Sequence, residues 1–172
     1  MIAKIEKCTL SGTAYAPTSK SIAHRLLICA ALSEGVSIIK KVTFSEDIYA
    51  TLECLKTLGA NYTVDGDTVI INGIENIQQS EEKIFNCRES GSTLRFIIPL
   101  LLLSDVKQIL TGKGRLIERP QDVYEDICNE QNLLFEKNDK ITVRGRITAG
   151  NYYVKGNISS QFITGLLFAL ST

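Results

Sequence analysis

The sequence contains one histidine, no tryptophan and no excess of either charge, because 19 lysines and arginines balance 19 aspartates and glutamates. A chain without net charge has no overall field to attract nucleic acid or an anionic membrane. The five cysteines are odd in number and form no Cys-x-x-Cys pair. They are typical of reduced, packed thiols in a cytoplasmic protein, and a single histidine leaves no ligand set for zinc. We therefore predict neither a metal nor a cofactor, and any anion specificity must come from local placement.

Long hydrophobic runs are also absent. The longest, residues 96–103, is too short to span a bilayer and contains a proline. The opening stretch "MIAKIEKCTL" carries charges through its apolar residues, unlike a signal peptide. At 172 residues the chain can bury a real core as one large domain or two small ones. These absences exclude a membrane protein of the helical class.

A long internal repeat is present instead. Serine-rich stretches followed by apolar runs begin at residues 19, 90 and 159, so the intervals are 71 and 69 residues. The segments "EDIYATLECLKTLGANYTVDGDTVIINGI" and "QDVYEDICNEQNLLFEKNDKITVRGRI" keep a similar register, with Asp47 and Asp122 separated by 75 residues and Asp67 and Asp139 by 72. A period near seventy exceeds ordinary solenoid repeats, so each unit should be a small subdomain.

Each unit is predicted to be β-α-β-α-β-β, which gives an α/β (α+β) fold class. The first helices are expected at 20–34 and 91–103, and the strands that follow them at 36–42 and 106–110. The second helices have entry signals in the stretch 45–47 and in Pro120, which we place in a first helical turn. Two alternating strands then close each unit around the turns Asp65-Gly66 and Asn138-Asp139. A third copy begins at "GNYYVKGNISSQF" and stops after one helix.

The three serine-rich helix starts favour an anion site. A helix N-terminus presents free N–H groups and a partial positive charge, and hydroxyls there either cap the helix or join those amides around a phosphate or carboxylate. Lys20, Arg25, Arg95 and Arg119 add positive charge nearby. Arg25 and Arg95 lie within apolar helical runs, where an unpaired guanidinium is costly. A phosphorylated or carboxylated small molecule is a natural partner for them.

Four stretches resemble the signatures of the 5-enolpyruvylshikimate-3-phosphate synthase family. They are "PTSKSIAHRLLICAAL", "RESGSTLRFIIPLL", "LTGKGRLIERPQD" and "GNISSQFITGLL", in the family's order. The resemblance implies transfer of an enolpyruvyl group from phosphoenolpyruvate to the 5-hydroxyl of shikimate 3-phosphate, with release of phosphate. It also implies β-α-β-α-β-β units in a pseudo-threefold arrangement, three in each of two domains. That architecture agrees with the seventy-residue period.

The resemblance assigns one group of residues to shikimate 3-phosphate. Ser21 and Arg25 would hold this substrate from the first motif. Ser159 and Ser160 would bind its 3-phosphate, and Gln161 would pack against its ring.

A second group is assigned to phosphoenolpyruvate. Lys20 would lie between the two substrates, and Arg119 would clamp the phosphoenolpyruvate anion. Gly91 would let the backbone approach this substrate closely, since glycine has no Cβ. Ser92 and Glu89 flank the glycine turn, at positions where many relatives carry threonine and asparagine.

Three further residues near these motifs are given no direct chemical role. His24 is interpreted as a helix-surface residue, or one acting through a neighbour, rather than as a base. Arg95 is interpreted as structural, and nothing marks Cys87 as a nucleophile.

Length is the departure from the family, whose members run to well over twice 172 residues. Their acid/base carboxylate, catalytic lysine and further arginines come from the later domain. We therefore expect a truncated chain, with 1–14 as a strand segment normally associated with the other domain, 15–172 as the first substrate-binding domain, and the second domain absent. Such a chain should be inactive alone and, through an exposed sheet edge, prone to self-association, whereas the parent protein is expected to be a monomer.

Two other functions remain open. The related enolpyruvyl transferase for UDP-N-acetylglucosamine shares the fold, but it usually carries a reactive cysteine in the loop that reads "GKGRLIE" here. A non-catalytic anion-binding module would keep the substrate motifs without the missing half.

Overall fold

The computed structural model describes residues 4, 6, 9, 11–75 and 77–172. Residues 1–3, 5, 7, 8 and 10 of the predicted N-terminal strand segment, 1–14, lie outside the described residues. The described part contains five helices and seven strands. In chain order they are α1 (Lys20–Leu32), β1 (Val36–Ile39), α2 (Glu46–Leu58), β2 (Asn61–Asp65), β3 (Thr68–Asn72), β4 (Ile84–Asn86), α3 (Gly91–Leu101), β5 (Leu103–Thr111), α4 (Asp122–Glu130), β6 (Leu134–Lys137), β7 (Ile141–Arg146) and α5 (Ser160–Leu170).

Two sheets of related topology confirm the repeat. The first has strand order β1-β3-β2, with both pairings antiparallel. The second has order β4-β5-β7-β6, in which β5, β7 and β6 repeat the first arrangement and β4 adds a parallel pairing to β5. The second unit therefore shows the full predicted β-α-β-α-β-β order. The first unit lacks the leading strand within residues 11–19, and the third shows none within 147–159 before α5.

Several predicted boundaries need correction. β1 ends at Ile39 rather than 42, and Lys41 follows it with a left-handed φ of 61° that a continuing strand would not allow. β5 is longer than predicted and starts at Leu103. The placement of Pro120 in a first helical turn is wrong, because α4 begins at Asp122 with Gln121 in the capping position.

Helix α2 forms as its spacing predicts. Ser45 accepts a hydrogen bond from the Ile48 N–H at its start, and two acidic residues occupy the first turn, where the helix dipole favours them. The apolar positions 48, 52, 55 and 58 are all buried. Gly59 ends the helix with a φ of 129°.

Helix α3 is buried along nearly its whole length, and its proline is accommodated by a neighbouring helix. Pro99 has no N–H to donate to the Arg95 carbonyl one turn earlier. The hydroxyl of Tyr124 on α4 donates to that carbonyl at 2.6 Å instead. A Cβ on Gly165 of α5 would stand 2.4 Å from the same hydroxyl, so only glycine permits this approach. Helices α3, α4 and α5 therefore meet at a hydrogen-bonded contact that aligns the starts of α3 and α5.

None of the helices in the described part of the chain combines the length and the apolar character needed to cross a membrane.

Candidate functional site

The starts of α1, α3 and α5 lie at the same end of the structure, as the repeat predicts. Near the first turns, the Gln161 amide of α5 donates to Ser92 Oγ of α3 at 2.7 Å. One turn further in, Arg25 of α1 donates to Thr164 Oγ1 of α5 at 3.2 Å and its guanidinium lies over the Phe96 ring of α3. Contacts between equivalent turns show that the three helices run side by side in the same direction. We call the surface formed by residues 19–21, by residues 91 and 92, and by residues 159–161 the helix-start surface.

Three serines cap these helices. The hydroxyl oxygens of Ser19, Ser90 and Ser159 each accept a backbone N–H of the first turn at 3.2 to 3.4 Å. The hydroxyls of Ser21 and Ser160 make no hydrogen bond to any described residue, and both residues are exposed. In α1 and α5 one serine therefore caps the helix and its neighbour keeps a hydroxyl without a described partner, and Ser159, assigned to the phosphate by resemblance, acts here as a cap.

Arg25 is half-buried and has no carboxylate within 4 Å among the described residues. Its guanidinium donates to the Ser21 carbonyl at 2.9 Å and to Thr164 Oγ1, and it stacks 5.3 Å from the centroid of the Phe96 ring. These contacts fix the direction of the guanidinium without neutralising its charge. An anion in front of α1 would meet a preorganised cation.

Arg95 lies one turn into α3 and orients Gln161. It donates to Gln161 Oε1 at 2.9 Å and lies 4.7 Å from the centroid of the Phe162 ring, while the Gln161 amide reaches Ser92. Burial lowers the pKa of Arg95, and the nearby charge of Arg119 lowers it further. Its buried Nε has no partner in the described structure. Arg95 therefore joins the starts of α3 and α5, as the structural interpretation expects.

Arg119 lies directly over Gly91. A Cβ built on Gly91 would stand 2.6 Å from Arg119 Nη1, so a side chain there would displace the guanidinium. Arg119 is exposed, and its side chain makes no hydrogen bond or ion pair with a described residue. Lys137 Nζ donates to the Arg119 carbonyl at 3.1 Å and holds the backbone of this loop. The absence of a Cβ at Gly91 therefore leaves room for the Arg119 guanidinium, in addition to any room it leaves for a ligand.

Lys20 is held by a carboxylate that the sequence analysis treated only as a helix-entry signal. Lys20 Nζ lies 2.6 Å from Asp47 Oδ2 in the first turn of α2. The lysine side chain is about half exposed, so its ammonium remains accessible beside the starts of α1 and α3. The recurrence of an aspartate at the entry of both second helices, Asp47 and Asp122, is the only sequence signal for this partner.

His24 is fully buried, so its interpretation as a helix-surface residue is wrong. Its Nδ1 lies 2.7 Å from Thr51 Oγ1 on α2. Burial lowers the pKa of His24 from 6.5 to about 4, with Lys20 and Arg25 acting in the same direction and Asp47 against it. The ring is therefore neutral near pH 7.

Cys87, four residues before Gly91, is also buried. A hydrogen bond with Cys54, whose Sγ is 4.0 Å away, and burial raise the pKa of the Cys87 thiol. A protonated, inaccessible thiol is a poor nucleophile. Among the described residues, no group of three His, Cys, Asp or Glu side chains could hold a metal ion.

Comparison with known proteins agrees with the resemblance. The family model described as EPSP synthase (3-phosphoshikimate 1-carboxyvinyltransferase) matches residues 5–172. Proteins named 3-phosphoshikimate 1-carboxyvinyltransferase are 48% identical over 164 residues in Clostridium perfringens (strain SM101 / Type A) and 44% identical over 169 residues in Clostridium kluyveri. These alignments cover 94% and 96% of this chain and 39% of each relative. The chain thus spans about two fifths of the length of the curated relatives it matches.

A solved structure shares the fold. EPSP synthase from Acinetobacter baumannii superposes with a TM-score of 0.77 at 20% sequence identity, over 92% of this chain and 37% of that one. The match confirms the mixed α/β repeat architecture. Because the family model extends over nearly all of the sequence, the chain belongs to the EPSP synthase family.

Proposed function

We propose that residues 15–172 form the domain that binds shikimate 3-phosphate and phosphoenolpyruvate in a 3-phosphoshikimate 1-carboxyvinyltransferase of the cytoplasm. One observation carries the proposal. Arg25, Arg95 and Arg119 have no carboxylate partner among the described residues, although all three lie at or beside the helix-start surface. Three guanidiniums without a described carboxylate partner, two of them held by neutral groups, lie next to helix N-termini and suit two anionic substrates.

Shikimate 3-phosphate belongs between α1 and α5 in this proposal. The free hydroxyls of Ser21 and Ser160 and the guanidinium of Arg25 provide donors for its phosphate. Gln161, fixed by Arg95 and Ser92, supplies a planar amide for its ring. Ser159 caps α5 by accepting the Gln161 N–H, so in this proposal it acts mainly by fixing the start of that helix.

Phosphoenolpyruvate belongs at the start of α3. Gly91 and Ser92 present backbone N–H groups there, and Arg119 lies over the glycine with an unpaired guanidinium. Lys20, held by Asp47, would lie between the two substrates.

These residues bind and orient, and they supply positive charge where the reaction develops negative charge. In the proposed reaction the 5-hydroxyl oxygen of shikimate 3-phosphate becomes bonded to the enolpyruvyl carbon, and the phosphate of phosphoenolpyruvate leaves. No residue of the helix-start surface is placed as the acid or base that moves the required protons. We therefore expect binding without turnover from the 172 residues alone.

Titration with shikimate 3-phosphate, followed through backbone amide shifts, tests the proposal. Shifts should cluster at residues 19–25 and 159–161, and Lys20→Ala should abolish them. Lys56→Ala, which removes an exposed lysine from the last turn of α2, should leave them unchanged. Absence of shifts at millimolar ligand would overturn the binding proposal, and product formed by the isolated chain would overturn the expectation of no turnover. Equal shifts with inorganic phosphate would favour a general anion-binding module.

A further inference from the structure

A buried hydrogen-bond chain connects α1 to the start of α3 beneath the helix-start surface. It runs from His24 Nδ1 to Thr51 Oγ1 at 2.7 Å, then to Thr93 Oγ1 at 2.7 Å, then to Ser90 Oγ at 2.7 Å. All four residues are buried, with no measurable exposure. We call these four residues the buried polar chain.

The direction of the protons along this chain follows from its last link. Thr93 has one hydroxyl proton, which it donates to Ser90 Oγ and, at a longer 3.4 Å, toward the Asp47 carbonyl. Because the single hydroxyl proton of Thr93 is used in these two hydrogen bonds, the Thr93 oxygen must accept in its contact with Thr51. The Thr51 hydroxyl is then spent on Thr93, so His24 Nδ1 must carry a proton and donate to Thr51. The other ring nitrogen, Nε2, is buried without a described partner. Burying an unprotonated nitrogen without a partner costs less than burying an unpaired N–H, so this observation agrees with a proton on Nδ1.

The end of the chain is the residue that shapes the glycine turn. Ser90 Oγ accepts from both the N–H and the hydroxyl of Thr93, and Ser90 caps α3 immediately before Gly91. Its position sets where the amides of Gly91 and Ser92 point. A buried chain in which every link depends on the previous one transmits a change at one end to the other.

We propose that His24 is a positioning residue, which, as the Nδ1–H tautomer, orients the Gly91 turn for phosphoenolpyruvate through Thr51, Thr93 and Ser90. This inference rests on the proposed function for the identity of the ligand, although the orientation itself exists without one. The stretch "SKSIAHR" then has two roles in this proposal. The exposed residues 19–21 at the start of α1 face the ligand, whereas the buried His24 acts through the buried polar chain on the start of α3.

The tautomer can be tested directly, because this chain contains a single histidine. A long-range ¹H–¹⁵N spectrum of the uniformly labelled protein at pH 7 should show Nδ1 protonated and Nε2 bare. A spectrum of the Nε2–H tautomer would overturn the proposal, since Thr51 would then have to donate to the ring.

Variants test the positioning. Thr51→Val interrupts the chain with a side chain of the same shape, and Thr57→Val on the same helix, outside the chain, is its control. Thr51→Val should shift the amides of Gly91 and Ser92 in the free protein and weaken phosphoenolpyruvate binding about fivefold, the equivalent of one net hydrogen bond. Affinity for shikimate 3-phosphate should stay within about twofold, which a general loss of structure would not allow.

Replacement of the histidine completes the test. The amide of asparagine can place an N–H close to the position of Nδ1–H, so His24→Asn should keep the Gly91 and Ser92 shifts and the phosphoenolpyruvate affinity near those of the wild type, whereas His24→Leu should resemble Thr51→Val. Equal losses for both ligands, or unchanged Gly91 and Ser92 amides in Thr51→Val, would overturn the proposal. If the wild-type chain binds no phosphoenolpyruvate, the proposed function fails, and the tautomer with the ligand-free amide shifts still decides the positioning role.

Discussion

The first and second repeat units have the same helix starts but bury them differently. Counted from the capping serines Ser19 and Ser90, Ile22 and Leu26 of α1 correspond to Thr93 and Ile97 of α3. The α1 residues are 58% and 48% exposed, whereas both α3 residues are fully buried. Helix α3 packs closely along α5 and also contacts α1 and α2, whereas α1 packs mainly against α2 of its own unit and leaves Ile22 and Leu26 exposed in the described structure. The face of α3 that corresponds to Ile22 and Leu26 is therefore buried by neighbouring helices that this face of α1 does not meet.

The largest difference should appear on truncating equivalent positions. Ile97→Ala should cost about 2–5 kcal/mol of unfolding free energy, because it removes buried methylenes and leaves a cavity in a helix packed on all sides. Leu26→Ala should cost about 1 kcal/mol or less, because half of the side chain already contacts water. Urea unfolding of the two variants measures both values. Equal costs would show that the two helices are equivalently buried in solution, for example through association of two copies.

The polar residues two positions after Ile22 and Thr93 also differ, and pH should separate them. His24 and Arg95 occupy equivalent positions, but of the two only His24 is neutral at pH 7 and gains a charge when the pH is lowered. Its pKa is about 4 in the folded protein and 6.5 as the reference, so between these values the unfolded chain binds the proton and the folded chain does not. The stability due to this residue is therefore complete above pH 6.5 and falls by about 3 kcal/mol as the pH drops to 4.

The comparison of wild type with His24→Asn isolates this effect, since carboxylate protonation is common to both proteins. The difference in unfolding free energy between them should change in favour of the variant as the pH is lowered from 7 to 4.5. A difference that stays constant with pH would mean that the imidazole is not buried as a neutral group.

The second helices provide a third contrast. Tyr49 and Tyr124 are equivalent when counted from Asp47 and Asp122, yet Tyr49 is partly exposed and stacks on Phe44 whereas Tyr124 is buried. Tyr124→Phe should cost about 1–3 kcal/mol, because the Arg95 carbonyl would lose the donor that compensates for Pro99. Tyr49→Phe should change stability by less than about 0.5 kcal/mol. Thermal unfolding of both variants would contradict this account if their melting temperatures were equal.

The same contrasts show which parts of the fold and of the site could be predicted from the sequence. Periodicity and capping signals predicted α2 and both hairpins, because a helix with Ser45 at its start and one apolar face is specified locally. The helix-start surface was predictable because equal spacing along the chain places equivalent starts at one end. The Pro99–Tyr124–Gly165 contact and the Lys20–Asp47 pair were not, because each joins residues 25 or more positions apart that carry no shared pattern.

Burial was the least predictable property. His24 lies between Lys20 and Arg25, just before an apolar run. Nothing in that stretch distinguishes a surface imidazole from a buried one. The deciding partner, Thr51, is 27 residues away on another helix. Pro120 was misplaced by two residues because a proline before a helix and one in its first turn give the same local signal.

The smallest expected effect concerns the loop before the second helix, where the units differ in chemistry. Arg119 in the second unit corresponds to Phe44 in the first, three residues before the equivalent aspartates, so only the second unit places a guanidinium over its helix start.

Arg119→Lys keeps the charge but removes the planar fork that can pair with a carboxylate or phosphate. We expect about tenfold weaker phosphoenolpyruvate binding, which corresponds to about 1.4 kcal/mol, with shikimate 3-phosphate binding and the unfolding free energy unchanged. Arg115→Lys is the matched control, because Arg115 lies in the same loop and is ion-paired with Glu118. Calorimetric or NMR titration of the two variants decides the point, and equal affinities for phosphoenolpyruvate would remove Arg119 from the site and leave the two units chemically alike.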